Sequence, residues 1–125
     1  KPDLVYGGWI LVDTFGNMEK RVAPHPFSNE DSLKHKTHFI CHSSMAYRKG
    51  VTLNVQYEGG DCSRLGIDDW RFIWGCRIKG YKFAYTKAPL CYRRRVDGTI
   101  SHTRNEAEVI EVKDRILKEL NVAQV

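Results

Sequence analysis

The chain has 125 residues, 42% hydrophobic and 28% charged, and 20 Lys and Arg against 15 Asp and Glu give it a formal charge of +5. That length and balance suit one ordinary folded domain and exclude disordered, collagen-like and coiled-coil classes. A membrane helix needs roughly 20 apolar residues, and the longest candidate run, Leu4 to Val12, is interrupted by Gly7 and Gly8. The first residue is Lys1, with no leader-like segment after it, so the N-terminus reads as a cut.

The β-branched and aromatic runs Leu4-Val5-Tyr6 and Trp9 to Val12 predict a strand, with Gly16 in the following turn and a return strand ending near Val22. Pro24 and Pro26 make Ala23–Pro26 a connector. Ser28, with Asp31 three residues on, predicts the cap of a short helix from about Asn29 to Lys36. Phe39 to Tyr47 reads as a second buried strand, and Gly50 to Gly66, with four of the ten glycines, as an irregular surface loop.

Asp68-Asp69 opens a segment in which Trp70, Ile73, Trp74 and Arg77 fall at helical spacing up to Gly80, a good residue for ending a helix. Tyr81 to Tyr85 and Leu90 to Arg94 are short strand candidates separated by Ala88-Pro89. Thr103 to Glu106 matches a capping box, and Val109, Ile110, Ile116, Leu117 and Leu120 recur on one face of an amphipathic helix from about Glu106 to Leu120. Cys41, Cys62, Cys76 and Cys91 contain no C-x-x-C pair and read as reduced, buried thiols rather than zinc ligands.

Several residue types could carry chemistry. A carboxylate such as Asp69 at a helix N-terminus stays ionised and can take a proton from a hydroxyl, the plain alternative being that Asp68 or Asp69 only caps the helix. Trp70 could stack on the C–H face of a sugar ring or pack in the core. Arg93 to Arg95 could neutralise a diphosphate through forked bonds or form a solvated charge run. His42, Ser43 and Ser44 interrupt an apolar stretch, where polar groups must find partners or face a ligand. A Ser/His nucleophile is disfavoured there because adjacent strand residues point to opposite faces.

The order of these parts resembles a known family. Leu4-Val5-Tyr6-Gly7-Gly8-Trp9 with Val12-Asp13 and Gly16, Phe39 to Met45 with Arg48, Asp68-Asp69-Trp70, Gly80 to Ala84, Pro89 to Arg93 and Gly98 to Ser101 are similar to the C-terminal half of family 2 glycosyltransferases of GT-A fold. The resemblance spans roughly residues 3 to 105. It implies an α/β architecture, a partial GT-A domain with a small mixed sheet, flanking helices and the amphipathic C-terminal helix, the nucleotide-binding half lying before Lys1.

It further implies an inverting transferase in which Asp69 deprotonates the acceptor hydroxyl. Asp68, Trp70, His42, Ser43 and Ser44 would line the acceptor site, and Arg93 and Arg95 would approach the donor diphosphate. The implied partners are a nucleotide-sugar donor, a saccharide or lipid-linked acceptor and the missing half, with self-association through the face that half would cover; nucleic acid is not among them. The implied location is the cytoplasm, at the inner face of a membrane.

The family holds Mg or Mn with a D-x-D motif. This chain has none, so the metal ligands are expected outside it and the chain alone is expected to be inactive. The family's usual Glu of the acidic pair is Asp68 here, Gly75 stands where an Arg is common, and Arg95 stands near a usual His. Two rivals remain: a basic module binding nucleic acid or acidic polysaccharide through Arg93 to Arg95, and a non-catalytic remnant of the fold. The first predicts affinity that falls steeply with salt.

Overall fold

The computed structural model describes residues 1–35, 40–95, 99 and 103–122. Its backbone is a mixed sheet with helices packed against it, in the order β1 (Leu4–Val12), β2 (Met18–Val22), α1 (Asn29–His35), β3 (Ala46–Tyr47), α2 (Asp61–Arg64), α3 (Asp68–Ile78), β4 (Phe83–Arg94) and α4 (Glu106–Glu119). Short 3-10 turns cover His42–Ser44 and Lys49–Leu53. β1 is the central strand: β2 and β3 pair with it antiparallel, and β4 runs parallel to it along its whole length.

The β1–β2 hairpin forms as its sequence predicts. Asp13 closes it by accepting hydrogen bonds from the Phe15 and Asn17 amides at 2.9 Å, and Gly16 takes the left-handed conformation. Those amides, Asn17's foremost, hold the Asp13 carboxyl below its usual range. Ser28 caps α1 through its Oγ, which accepts from the Asp31 amide at 3.2 Å.

α3 is buried nearly all round, with Trp70, Phe72, Ile73, Trp74 and Cys76 each 2% exposed or less. A helix without a polar face belongs inside a core. It ends in a Schellman motif, the Gly80 amide donating to Arg77 O and the Tyr81 amide to Cys76 O, with Gly80 at φ +81°. The Arg77 side chain donates to Asn29 Oδ1 at 2.9 Å and lies over the Phe27 and Phe83 rings, tying α3 to α1 and β4.

Four sequence expectations need correction. Residues 40–47 are not one strand: a 3-10 turn at His42–Ser44 leads into the two-residue β3, because the Ser44 hydroxyl donates to Cys41 O at 2.7 Å and bends the chain. Phe39 itself lies outside the described residues. Segment 50–66 is not a surface loop, since Val51, Val55, Cys62 and Leu65 enter the core and Asp61–Arg64 forms α2.

β4 is a single strand rather than two. The Ala88-Pro89 break is absorbed as a bulge, in which Thr86 stands opposite Gly7 and Pro89 opposite Gly8. A Cβ on Gly7 would sit 2.5 Å from Leu90 Cδ1, so Gly7 is what the bulge packs against, while one on Gly8 would sit 2.7 Å from Val22 O on the other side, at the end of β2.

α4 is capped by Asn105, whose side chain accepts from the Glu108 amide at 3.1 Å, while Thr103 Oγ1 donates to Thr99 O instead of capping. The core face of α4 carries Val109, Val112, Ile116 and Leu117, with Ile110 half exposed. Arg64 links α2 to α4 by binding both Asp61 and Glu108, and Arg115 also reaches Asp61. The fold class is thus mixed α/β with a small mixed sheet and flanking helices. No helix among the described residues is long and apolar enough to cross a membrane.

Candidate functional site around Asp69

The N-cap position of α3 is held by Ile67, so neither Asp68 nor Asp69 occupies it. Both sit in the first turn, partly exposed, where the helix field favours an ionised carboxylate. Asp69 Oδ1 accepts from the Trp70 amide at 2.8 Å.

Asp69 lies within electrostatic reach of the Tyr57 hydroxyl. The Tyr57 ring stacks on Phe72, with centroids 4.1 Å apart and planes 4° from parallel, and Tyr47 leans on the same Phe72 at 5.1 Å. His42 Nε2 and Tyr57 Oη are 2.8 Å apart. Burial raises the Tyr57 hydroxyl pKa above its ordinary value, aided by the neighbouring Tyr47 phenol and by the negative charge of Asp69. The Tyr57 hydroxyl is therefore joined to His42, with Tyr47 and Asp69 within electrostatic reach.

The predicted site residues divide accordingly. His42 is exposed and joined to the Asp69 surroundings through Tyr57, and Ser43 beside it is exposed. Ser44 is buried: its hydroxyl accepts from the Gly7 amide at 3.2 Å and bonds to Gly7 O and Cys41 O, filling the gap along β1 between β3 and β2. It acts as a substitute strand partner, not as a pocket wall. Ser44→Ala strands the buried Gly7 amide, while Cys41 O keeps the Ser44 backbone amide at 2.9 Å, and should destabilise the fold by about 2 kcal/mol, read as a lower urea midpoint with an unchanged slope.

Trp70 is 2% exposed and packs between Trp74 and the Lys113 ammonium, which lies 5.2 Å from the ring centroid. It offers no face to a sugar. Gly75 has a packing reason of its own: a Cβ there would meet Val55 Cγ1 at 2.8 Å, so a larger residue would push the 54–56 segment off α3.

Arg93 is exposed near the end of β4. Cys41 Sγ and Cys91 Sγ are 3.7 Å apart, which sets the His42 turn against β4 two residues before Arg93. Arg94 donates to Thr14 O, and Arg95 is bound at 2.5 Å to Glu19 on β2, so the basic run is partly spent on holding the hairpin. Among the described residues no three His, Cys, Asp or Glu side chains gather as metal ligands.

All four cysteines are free. Burial pushes the Cys76 thiol up to about 11, and burial with the Cys41 contact does the same for Cys91. A folded-state value above the unfolded value near 9 gives stability that is complete below pH 9 and lost as the pH rises toward 11. The raised Tyr6 and Tyr57 hydroxyls act with the same sign from about pH 10. Unfolding free energy should therefore drop by about 2 kcal/mol from Cys76 alone between pH 8 and pH 11, checked by urea titrations at the two values.

Sequence reasoning passed over Tyr57 and Tyr47. The available signal was a lone aromatic just before Glu58-Gly59-Gly60, in a stretch otherwise poor in large side chains. No family model, curated protein or solved structure matches this chain.

Proposed function

We propose that this chain is the acceptor-side portion of an inverting, family 2-like glycosyltransferase, moving a sugar from a nucleotide-sugar donor to a hydroxyl of a saccharide or lipid-linked acceptor. The observation that carries this reading is the partly exposed Asp69 in the first turn of α3, outside the N-cap position and within electrostatic reach of the Tyr57 hydroxyl. The order of sequence blocks supports it.

In this reading Asp69 accepts the proton of the acceptor hydroxyl as that oxygen attacks the anomeric carbon, and the nucleoside diphosphate leaves from the opposite face. His42 and Ser43 border the acceptor, and Arg93 faces the departing diphosphate. Arg95, engaged with Glu19, holds the strand end that carries Arg93. Mg or Mn would be supplied by residues outside this chain.

The test is sugar transfer by the complete polypeptide carrying Asp69→Asn, set against Asp68→Asn. Loss with the first and a smaller effect with the second supports the base at position 69. Equal and near-normal turnover in both removes it.

A further inference from the structure

Tyr57 has an unusual combination of surroundings. One ring face is covered by Phe72, itself fully buried, and the His42 ring meets Tyr57 edge-on at 5.6 Å, yet Tyr57 keeps 37% of its surface exposed. Tyr47, 36% exposed, rises from the same Phe72 at a tilt of 48° and forms a second wall. At the hydroxyl end stand His42 Nε2 at 2.8 Å and, within electrostatic reach, the Asp69 carboxylate.

An aromatic ring bordered by an imidazole, with a second tyrosine on the same Phe72 and a carboxylate within electrostatic reach, is matched by few ligand classes. An anionic ligand is disfavoured beside Asp69. A purely apolar ligand would strip water from His42 and the phenols without replacing their hydrogen bonds. A nucleobase would stack and could bond at its edge as well, so the choice of a sugar follows from the acceptor-side reading of Asp69. A neutral pyranose presents C–H groups on one face and hydroxyls around its edge, which satisfies the ring and its polar neighbours together.

We infer that Tyr57 and Tyr47 form a stacking shelf for a neutral sugar ring of the acceptor, with His42 fixing the Tyr57 ring through its hydroxyl so that the bound sugar's hydroxyls face Asp69. The inference rests on the reading of Asp69 as the acceptor-side carboxylate. It assigns the selection of a neutral acceptor sugar to Tyr57 and Tyr47, and His42 becomes a positioning residue acting through Tyr57.

The shelf is tested by binding alone. The full chain is titrated with cellotetraose, chitotetraose and mannotetraose, each to about 10 mM, where a millimolar Kd still registers, and Tyr and His side-chain resonances are followed by NMR. The expected result is that at least one probe shifts the Tyr57, Tyr47 and His42 signals together. Tyr57→Ala should weaken that probe by about tenfold, and Tyr57→Phe, which keeps the ring, by about threefold or less.

Tyr47→Ala is a second variant whose loss of binding does not depend on how well Tyr57→Ala folds. Silence with all three probes, or undiminished binding by folded Tyr57→Ala and Tyr47→Ala, overturns the shelf. Probe binding together with normal transfer by Asp69→Asn would instead remove the base and leave the shelf standing.

Discussion

Trp74→Ala is expected to lower the unfolding free energy by about 3–5 kcal/mol, a large part of the 5–15 kcal/mol that a domain of this kind has in total. Trp74 is 0% exposed, meets Phe27 edge-on at 5.5 Å and lies 6.4 Å from Trp70, so its removal opens a hole where α3, the Phe27 connector and the sheet converge. Among the described residues its indole N–H finds no acceptor. Trp74→Phe gives up volume but also relieves that unpaired donor, so it should lose less than half as much. Ile110→Ala, at a position 45% exposed on α4, should change stability by about 0.5 kcal/mol or less. Urea unfolding of the three variants checks the ranking, and a Trp74→Ala protein as stable as Ile110→Ala would contradict the packing.

Asp69→Asn should reduce turnover of the complete polypeptide by about 10²-fold or more, the loss expected when a general base is removed. The substitution keeps an oxygen that can accept from the Trp70 amide, so the start of α3 is preserved and the loss is one of charge and basicity. A second readout needs no substrate. The Asp69 charge is one of the influences holding the Tyr57 pKa up, so Asp69→Asn should let Tyr57 ionise at lower pH in an ultraviolet titration. Turnover within about threefold of the parent would withdraw the base assignment, whatever Tyr57 does.

What could be read from the sequence was what local rules control. The β-branched runs around Gly16 specified the hairpin, and the Asp pair, the aromatic spacing and Gly80 specified α3, because each signal acts within a few residues. Features that depend on a distant partner were not legible. Ser44 looked like a residue facing a ligand, but its hydroxyl is taken up by Gly7, 37 positions away. Pro89 looked like a strand break, and only the bare backbone of Gly7 on β1 lets Ala88 and Leu90 approach closely enough for a bulge. Val51, Val55, Cys62 and Leu65 enter the core without a repeating period, so a glycine-rich stretch hid a packed layer. At the site, Asp69 was visible through its helix start, whereas Tyr57 became visible only when Phe72 and His42 were found on either side of it.

The pairing of β1 with β4 has a kinetic consequence. Leu4 meets Phe83 and Val12 meets Arg94, so the main ladder closes a loop of about eighty residues. The β1–β2 hairpin and the turns of α3 can form as soon as their own residues are present, but one whole edge of the central strand waits for the last third of the chain. A nascent polypeptide leaving the ribosome would carry β1 with that edge open until Arg94 had emerged, and the docking of β4 would set the pace of folding.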